Sequence, residues 1–280
     1  RIIYLLSELV FKKYTPHINL PIFSFRSSIS EMKLNLHLYP KIKKDILDKR
    51  IINNVSVLIS EWCTYGNLKL YLNKQSNVFR DNPFYWNILF FQIVSTLTVI
   101  QSVYPNFRHN DLHLENILVQ KTNPSQSENY LYQLRIKDTD YHFVIPDIGF
   151  QIRIWDYDWS SIEGMVVNKK AVQKNRYQQN RTFDLFCSIY LLEKLYDEIM
   201  TGCMKDEHLK FFRDVRKGIT ENDMGTEKKH LLSTNQEFRT PESILIKHSN
   251  PSKNNSIFKQ FIFSPEQTKN MNFCDQYKYP

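Results

Sequence analysis

The sequence has very little glycine and almost no alanine. Six glycines and a single alanine, Ala171, occur in 280 residues. A collagen-like repeat is excluded because it requires glycine at every third position. Hydrophobic residues make up 42% of the chain and charged residues 24%, which also excludes a wholly disordered protein. The composition therefore allows a packed core in one large domain or two modest ones.

Cysteine is also scarce. The four cysteines are far apart and include no C-x-x-C pair: Cys63, Cys187, Cys203 and Cys274. This spacing indicates neither a zinc site nor a disulfide framework. We therefore expect a reducing compartment, which is the cytoplasm or the nucleus of a cell.

Long apolar runs are missing as well. No uninterrupted run approaches the roughly 20 residues that a membrane-spanning helix needs. The apolar opening of the chain is interrupted by Glu8, and no small-residue cleavage site follows it. Its apolar positions instead predict an amphipathic helix that ends near residues 15–16. We therefore expect neither a signal peptide nor a membrane anchor.

Acidic residues are outnumbered by basic ones. With 37 lysines and arginines against 29 aspartates and glutamates, the formal net charge is +8. Nucleic acid or a phosphate-bearing ligand would be a suitable anionic partner. However, the basic residues are spread along the chain, and the densest cluster, residues 41–50, also contains Asp45 and Asp48. We interpret this cluster as a solvated surface segment and do not expect a nucleic-acid partner.

Hydrophobic periodicity predicts a few strands followed mostly by helices. Apolar residues at helical spacing predict a long, mostly buried helix over residues 84–103, which ends before Pro105. The other predicted helices are 182–200, 211–219 and one that begins at Thr240 and Pro241, and the predicted strands are 18–25, 55–59, 116–120 and 151–155. An aromatic patch at 258–263 is predicted to pack internally. The order predicts an α+β protein with a small β-containing lobe and a larger helical lobe.

One segment carries chemically informative side chains. Residues 109–119 read H-N-D-L-H-L-E-N-I-L-V, and D-Y-D follows at 156–158. Asp111, Asn116 and Asp156 together supply two carboxylates and an amide. Such oxygen atoms suit Mg²⁺, and a carboxylate can accept or orient the proton of an acceptor hydroxyl. The segment therefore predicts phosphoryl transfer from a magnesium nucleotide.

This pattern resembles the catalytic loop of protein kinases, H-R-D-L-x-x-x-N, and their later D-F-G motif. The resemblance implies a two-lobed protein kinase-like fold in which Asp111 is the catalytic base. Asn116 and Asp156 would hold Mg²⁺ against the phosphates of ATP. His109 would pack structurally beneath the loop, and His113 would lie near the phosphates.

Upstream segments occur in the order expected of a kinase. Residues 60–68, S-E-W-C-T-Y-G-N-L, resemble a kinase hinge, whose backbone at Glu61 and Cys63 would meet adenine, with Ser60 as gatekeeper. The first predicted helix resembles helix C, with Glu8 as the candidate partner of a strand-three lysine. Because no glycine-rich loop or such lysine precedes it, the resemblance implies a clipped small lobe over residues 1–65 and a large lobe over 66–280.

The variant D-L-H-x-x-N with D-Y-D is more similar to haspin-like kinases and to protein kinases of large DNA viruses than to the main serine/threonine group. An insertion at about residues 121–150 also resembles the haspin-like branch, and residues 130–136 and 141–145 within it could form an extra hairpin. The sequence T-F-D-L at 182–185 is similar as well, and Asp184 would brace the backbone of the catalytic loop. We therefore expect a virus-encoded protein.

Three positions depart from the kinase pattern. Asn110 replaces the arginine that receives an activation-loop phosphate, so activation by that phosphorylation is not expected. His113 replaces a lysine, although haspin-like and small-molecule kinases also carry histidine there. Asp158 replaces the D-F-G glycine, which we interpret as a structural replacement.

The leading hypothesis is a protein kinase that uses ATP and Mg²⁺ to phosphorylate serine or threonine hydroxyls of a protein substrate. Neither the identity of that substrate nor the oligomeric state follows from the sequence. Two alternatives stay open. The departures are compatible with a pseudokinase scaffold, and D-L-H-x-x-N also occurs in small-molecule kinases of the aminoglycoside or choline type. The hinge-like segment and the insertion favour the protein kinase.

Overall fold

The computed structural model describes residues 1–28, 44–45, 47–48, 54–124, 129–173, 180–216 and 240–279. Contacts divide the chain into two units: Leu20–Trp62, and a larger unit formed by Arg1–Asn19 with Cys63–Pro280. Most of the basic cluster at 41–50 lies outside the described residues. Its interpretation as a solvated segment, and the lobe boundary at residue 65, stay predictions.

The described chain contains both helices and short strands. The helices are α1 (Ile2–Phe11), α2 (Leu68–Lys74), α3 (Ser76–Asp81), α4 (Phe84–Val103), α5 (Lys169–Gln173), α6 (Phe183–Ile199), α7 (Asp206–Arg216), α8 (Pro241–His248) and α9 (Pro265–Thr268). The strands are β1 (Pro21–Ser27), β2 (Val55–Ser60), β3 (Phe107–Arg108), β4 (Ile117–Lys121), β5 (Asn129–Ile136), β6 (Thr139–Pro146), β7 (Phe150–Ile154), β8 (Ser161–Ile162), β9 (Ile262–Phe263) and β10 (Asp275–Tyr279).

Helix α4 is the central helix of the larger unit. Its bounds confirm the helix predicted over residues 84–103. Phe90 is fully buried, and the rings of Phe211 and Phe212 from α7 lie 4.8 and 5.3 Å from its ring. On another side of the helix, Phe91 packs against Phe143 of β6 at 5.0 Å. Aromatic burial on several sides therefore joins α4 to the elements around it.

The same helix is long and apolar enough to cross a membrane, and it is the single helix of the described residues that meets this criterion. However, 89% of its most apolar window is buried inside the protein. The apolar composition of α4 is therefore that of a buried core helix.

Two antiparallel ladders position the 109–116 loop. β3 pairs with β8, with Arg108 opposite Ser161, and β4 pairs with β7, with Ile117 opposite Ile154. The loop runs from the end of β3 to the start of β4, and Asp156 lies just beyond β7. The strands predicted at 116–120 and 151–155 are confirmed with a shift of one residue.

The insertion forms a larger sheet than the sequence predicted. β5 and β6 make the expected hairpin, with Ile136 opposite Thr139 at its turn. β10 adds to β5 in parallel and β9 adds to β6 in antiparallel fashion, which gives the order β10-β5-β6-β9. Phe258 and Phe261 pack at 5.8 and 5.9 Å from the ring of Phe91, which confirms internal packing of the aromatic patch.

Helix α1 ends earlier than predicted. Lys13 adopts a left-handed backbone with φ 55, and its N–H donates to the carbonyl of Val10 at 2.9 Å. The N–H of Tyr14 donates to Leu9 at 2.8 Å. This turn ends the helix in a conformation that usually requires glycine, which the sequence lacks here. Leu6 and Leu9 of α1 are buried in the core of the larger unit.

In the smaller unit, β1 and β2 form an antiparallel ribbon with Ser24 opposite Leu58. The strand predicted at 18–25 therefore begins later, at Pro21, whereas the strand at 55–59 is confirmed. Large apolar side chains on both strands are exposed: Ile22, Phe23, Phe25, Leu58 and Ile59. A ribbon of two strands buries little apolar surface by itself.

The later helices agree with the predictions except at one boundary. α6 confirms the helix predicted at 182–200, and α8 begins with Pro241 after Thr240, whose Oγ1 accepts from the N–H of Ser243 at 3.2 Å. α7 begins at Asp206 rather than at residue 211, because acidic residues in its first turn favour helix formation. The predicted extension to residue 219 lies outside the described residues.

Candidate active site

Asp184 holds the backbone at the start of the 109–116 loop. It lies in the first turn of α6 and is completely buried. Its Oδ2 accepts from the N–H of His109 at 2.7 Å, and its Oδ1 accepts from the N–H of Asn110 at 2.9 Å. One carboxylate therefore fixes two successive peptide groups directly before Asp111.

His109 is buried beneath the loop. Its Nε2 lies 2.9 Å from the carbonyl oxygen of Trp155, so Nε2 carries the hydrogen and donates it. The ring of Tyr157 is 5.2 Å away. Burial lowers the pKa of His109, which keeps the ring neutral near pH 7. His109 thus connects the loop to the residue that precedes Asp156.

Asp111 and Asn116 contact each other at the two ends of the loop. The Nδ2 of Asn116 donates to the backbone oxygen of Asp111 at 2.9 Å and lies 3.4 Å from Oδ2 of the same residue. Asn116 is buried, whereas the Asp111 side chain is 40% exposed. The amide nitrogen of Asn116 is thereby committed to Asp111, and its Oδ1 is the atom suited to bind a cation.

Asp156 lies at the same end of the β4–β7 ladder. The N–H of Trp155 donates to the backbone oxygen of Asn116 at 3.1 Å. Asp156 itself has a left-handed backbone with φ 60 and ψ 72, and its Oδ1 accepts from the N–H of Asp158 at 3.3 Å. A non-glycine residue in this conformation is strained, and the neighbouring hydrogen bonds hold it there.

These donors fit a hard divalent cation. Asn116 supplies an amide oxygen and Asp156 a carboxylate, while the Nε2 of His109 is committed to Trp155. Mg²⁺ prefers such oxygen ligands and usually retains water or phosphate oxygens among them. Within the described ranges, no group of three or more His, Cys, Asp or Glu side chains could hold a metal ion alone. Phosphate and water oxygens would therefore have to complete the coordination.

His113 lies on the open side of the loop. Its Nδ1 accepts from the N–H of Glu115 at 3.2 Å, so in the neutral ring Nε2 carries the hydrogen and points toward Asp111 Oδ2, 3.6 Å away. A cleft of about 430 Å³ opens beside His113, between the loop, α2 and α6. Lys69 and Glu115 form an ion pair at 3.1 Å at this cleft.

The hinge residues belong to both units: Ser60 and Glu61 to the smaller one and Cys63 to the larger one. In the smaller unit, the N–H of Glu61 donates to the carbonyl of Leu20 at 2.9 Å, and Glu61 Oε2 accepts from the N–H of Leu20 at 3.1 Å. Ser60 ends β2. In the larger unit, Cys63 is buried and its Sγ donates to Asn19 Oδ1 at 3.5 Å. Contact of Glu61 and Cys63 with adenine stays a prediction.

Glu8 is not brought to the loop residues. It lies on the exposed side of α1 and pairs with Lys12, one turn later, at 3.5 Å. Its predicted role as the partner of a strand-three lysine stays a prediction.

Two residues that the sequence analysis did not assign to the site contact it. The Nδ2 of Asn110 donates to the carbonyl of Trp159 at 2.9 Å, and the Oγ of Ser160 donates to the carbonyl of His109 at 3.2 Å. Their partners are distant in the sequence, so no local spacing could have revealed these bonds.

Comparison with known proteins shows the family of this chain. The family model described as poxvirus serine/threonine protein kinase matches residues 42–247, which is most of the chain. The chain belongs to the poxvirus serine/threonine protein kinase family. The predicted resemblance to viral protein kinases and the predicted α+β kinase-like fold class are thereby confirmed. The closer likeness to haspin stays a prediction.

Two relatives from Acanthamoeba polyphaga mimivirus are similar to this member of the family. A protein named "Putative serine/threonine-protein kinase R400" is 29% identical over 292 residues, covering 95% of this chain and 60% of its own length. A second, "Putative serine/threonine-protein kinase R301", is 29% identical over 132 residues, covering 42% of this chain and 31% of its own length. The chain therefore spans less than two thirds of the length of each relative.

Proposed function

We propose that this chain is the catalytic part of a virus-encoded protein kinase that transfers the γ-phosphate of ATP to a serine or threonine hydroxyl. The observation that carries the proposal is the contact between Asp111 and Asn116 beside Trp155 and Asp156. It supports the proposal because phosphoryl transfer needs an acceptor-orienting group next to the ligands of a metal nucleotide.

In this mechanism Asp111 accepts or orients the proton of the acceptor hydroxyl, which the exposure of its carboxylate permits. Asn116 Oδ1 and the carboxylate of Asp156 would hold Mg²⁺, which when bound neutralises charge on the phosphates. His113 would lie near the phosphates, and its Nε2 hydrogen points toward Asp111 Oδ2. His109 and Asp184 do not touch substrate but fix the loop. Ser60, Glu61 and Cys63 would bind adenine.

The decisive experiment measures transfer of labelled phosphate from ATP to protein by the full-length protein. Asp111→Asn and Asp156→Ala should each lower kcat by at least about 100-fold, since each removes a group that acts in the transition state. Asp206→Asn, an exposed carboxylate in the first turn of α7, is the matched control and should leave kcat unchanged. Transfer that survives both site variants would refute the proposed roles.

A pseudokinase scaffold is the second candidate, and Asp158 in place of a glycine favours it. In that case the folded full-length protein would show no labelled-phosphate transfer to any protein acceptor. Nucleotide binding measured by thermal shift would then report whether the site is retained. A screen of small alcohols as acceptors distinguishes a small-molecule kinase from both.

The viral relatives support a proposal about where in the infected host the protein acts. A virus-encoded kinase that uses ATP would act inside the infected cell, where ATP and protein acceptors are present. Fractionation of infected cells followed by detection of the protein tests this placement, and recovery from the extracellular fluid alone would contradict it.

A further inference from the structure

Asn110 occupies an unusual position directly before Asp111. Its backbone is left-handed with φ 67, and only 3% of the residue is exposed. Asparagine tolerates this conformation better than most residues with a side chain. Its N–H is already bonded to Asp184 of α6. The backbone conformation of Asn110 and the hydrogen bond of its N–H therefore restrict where its side chain can lie.

The side-chain amide of Asn110 reaches the segment that follows Asp156. Its Nδ2 donates to the carbonyl of Trp159 at 2.9 Å and lies 3.5 Å from the Oγ of Ser161. In the opposite direction, the Oγ of Ser160 donates to the carbonyl of His109 at 3.2 Å. Three consecutive residues, 159–161, are thus bonded to two consecutive residues, 109–110.

Other contacts keep this segment in a single path. Arg108 and Ser161 are opposite each other in the β3–β8 ladder. Further along, the Nδ2 of Asn168 donates to the backbone oxygen of Asp158, and the N–H of Ile162 donates to the carbonyl of Val166 at 2.9 Å. The segment from 156 to 168 is therefore held to itself by hydrogen bonds, and its bonds to residues 109–110 of the loop join uncharged groups.

We propose that Asn110 is a positioning residue that joins the 109–116 loop to residues 159–161 and thereby sets Asp156 relative to Asp111. The join depends mainly on the amide of Asn110 and the hydroxyl of Ser160, so it needs no added charge such as a phosphate. Its consequence for catalysis rests on the proposed kinase function. The join itself is a property of the folded chain and can be measured without activity.

Two substitutions distinguish the effect of the Asn110 side chain from the effect of its backbone conformation. Asn110→Gly keeps a residue that adopts the left-handed conformation but deletes both bonds. Asn110→Asp keeps the shape but replaces the donor with an acceptor that faces the carbonyl of Trp159. Ser161→Ala removes only the longer contact and is the matched control.

The first measurement is amide hydrogen exchange in the 280-residue chain. In both Asn110 variants we expect the amides of Ser160 and Ile162 to exchange about 5- to 10-fold faster, the effect of losing roughly one hydrogen bond. Amides in α7 should exchange as before, and Ser161→Ala should behave nearly as the unmodified chain. Unchanged exchange at Ser160 and Ile162 in folded Asn110 variants would overturn the proposal.

The second measurement is kinetic and uses the full-length protein. In the Asn110 variants we expect kcat to fall by about 10- to 100-fold, because the reacting groups are misplaced. The KM for ATP should stay within about threefold of that of the unmodified protein. Phosphatase treatment of the unmodified protein should leave kcat unchanged, and a large loss would contradict the claim that no phosphate is needed. If the unmodified protein transfers no phosphate, the proposed function fails while the exchange result still decides the join.

A third variant covers the case in which neither Asn110 variant folds. Ser160→Ala removes another bond of the same join and leaves Asn110 intact. We expect faster exchange at Ile162 in this variant, and protection equal to that of the unmodified chain would count against the join.

Discussion

At the scale of single residues, Asp184 holds the backbone at the start of the 109–116 loop. Its buried carboxylate accepts two peptide N–H groups, and both belong to the residues before Asp111. Hydrogen bonds to a charged acceptor are stronger than neutral ones, and a buried N–H without an acceptor is costly. These contacts support the prediction that Asp184 braces the loop.

We predict that Asp184→Asn lowers the free energy of unfolding by about 3 kcal/mol, because one N–H would face the new amide hydrogens. Urea unfolding followed by tryptophan fluorescence measures this loss. Asp197→Asn, on the exposed side of the same helix, should change it by less than about 0.5 kcal/mol. Equal effects of the two substitutions would show that the two hydrogen bonds accepted by Asp184 contribute nothing specific to the free energy of unfolding.

His208 gives a second prediction at this scale, which concerns pH. It is buried, its Nε2 donates to Asn87 Oδ1 at 2.6 Å, and its Nδ1 accepts from the hydroxyl of Tyr196 at 3.0 Å. Burial, with a smaller contribution from Lys205, lowers the pKa of His208 to about 4. The native state thus keeps a neutral ring that the unfolded chain protonates below about pH 6.5.

Stability from this depressed pKa is fully present above about pH 6.5 and is lost as pH falls from there toward about 4, by up to about 3 kcal/mol. His208→Gln should flatten this part of the profile because glutamine does not titrate. Thermal unfolding at a series of pH values, with His142→Gln as the control for replacing an imidazole, provides the comparison. An unaltered slope in His208→Gln would mean that the native ring takes up its proton over the same pH range as in the unfolded chain.

At the scale of elements, β10 attaches the end of α1 to the insertion sheet. The N–H of Lys278 donates to the carbonyl of Lys13 at 2.8 Å, and the ammonium of Lys13 pairs with Asp275 at the same distance. The rings of Tyr14 and Tyr279 meet edge to face at 5.4 Å. The left-handed turn at Lys13 is therefore held from outside the helix that it ends.

We predict that Lys278→Pro makes the last amides of α1 exchange about fivefold faster, since proline removes the N–H that bonds Lys13. Because that N–H points to Lys13, pairing of β10 with β5 should persist. Lys278→Ala keeps the N–H and is the matched control. Hydrogen exchange at Lys12 and Tyr14 reports the effect, and identical rates in the two variants would disprove the attachment.

The elements also show how far the sequence could predict the fold. The bounds of α4 were predictable because its apolar residues recur at helical spacing between Pro83 and Pro105. β10 was not, because its five residues, an aspartate, a glutamine, a lysine and two tyrosines, include no aliphatic side chain, and their partner in β5 is far away in the chain. Local patterns determine helices, whereas strand pairing depends on contacts that are distant in sequence.

The same distinction applies to the candidate site. The resemblance to kinase motifs predicted that Asp111, Asn116 and Asp156 act together. In the structure Asp111 and Asn116 are in contact, and Asp156 follows β7, the strand that pairs with β4. The bonds from Asn110 to Trp159 and from Ser160 to His109 were not predictable, since they depend on the left-handed backbone at Asn110.

At the scale of the whole molecule, the larger unit is discontinuous in sequence and continuous in its core. Phe91 of α4 is fully buried, and the rings around it come from separate parts of the chain: Tyr132, Phe143, Phe258 and Phe261. The insertion sheet and the C-terminal segment therefore share one packed centre with the long helix. Shared burial of this kind makes unfolding cooperative.

We predict that Phe91→Ala destabilises the larger unit by about 3–5 kcal/mol, because it leaves a cavity among four aromatic rings. The loss should be equal when it is measured by tryptophan fluorescence and by exchange of the β5 and β6 amides. Phe84→Ala, a partly exposed residue at the start of the same helix, should cost far less. If the β5 and β6 amides kept their protection while fluorescence showed the loss, the insertion would be an independently folding part, and the core would not be continuous.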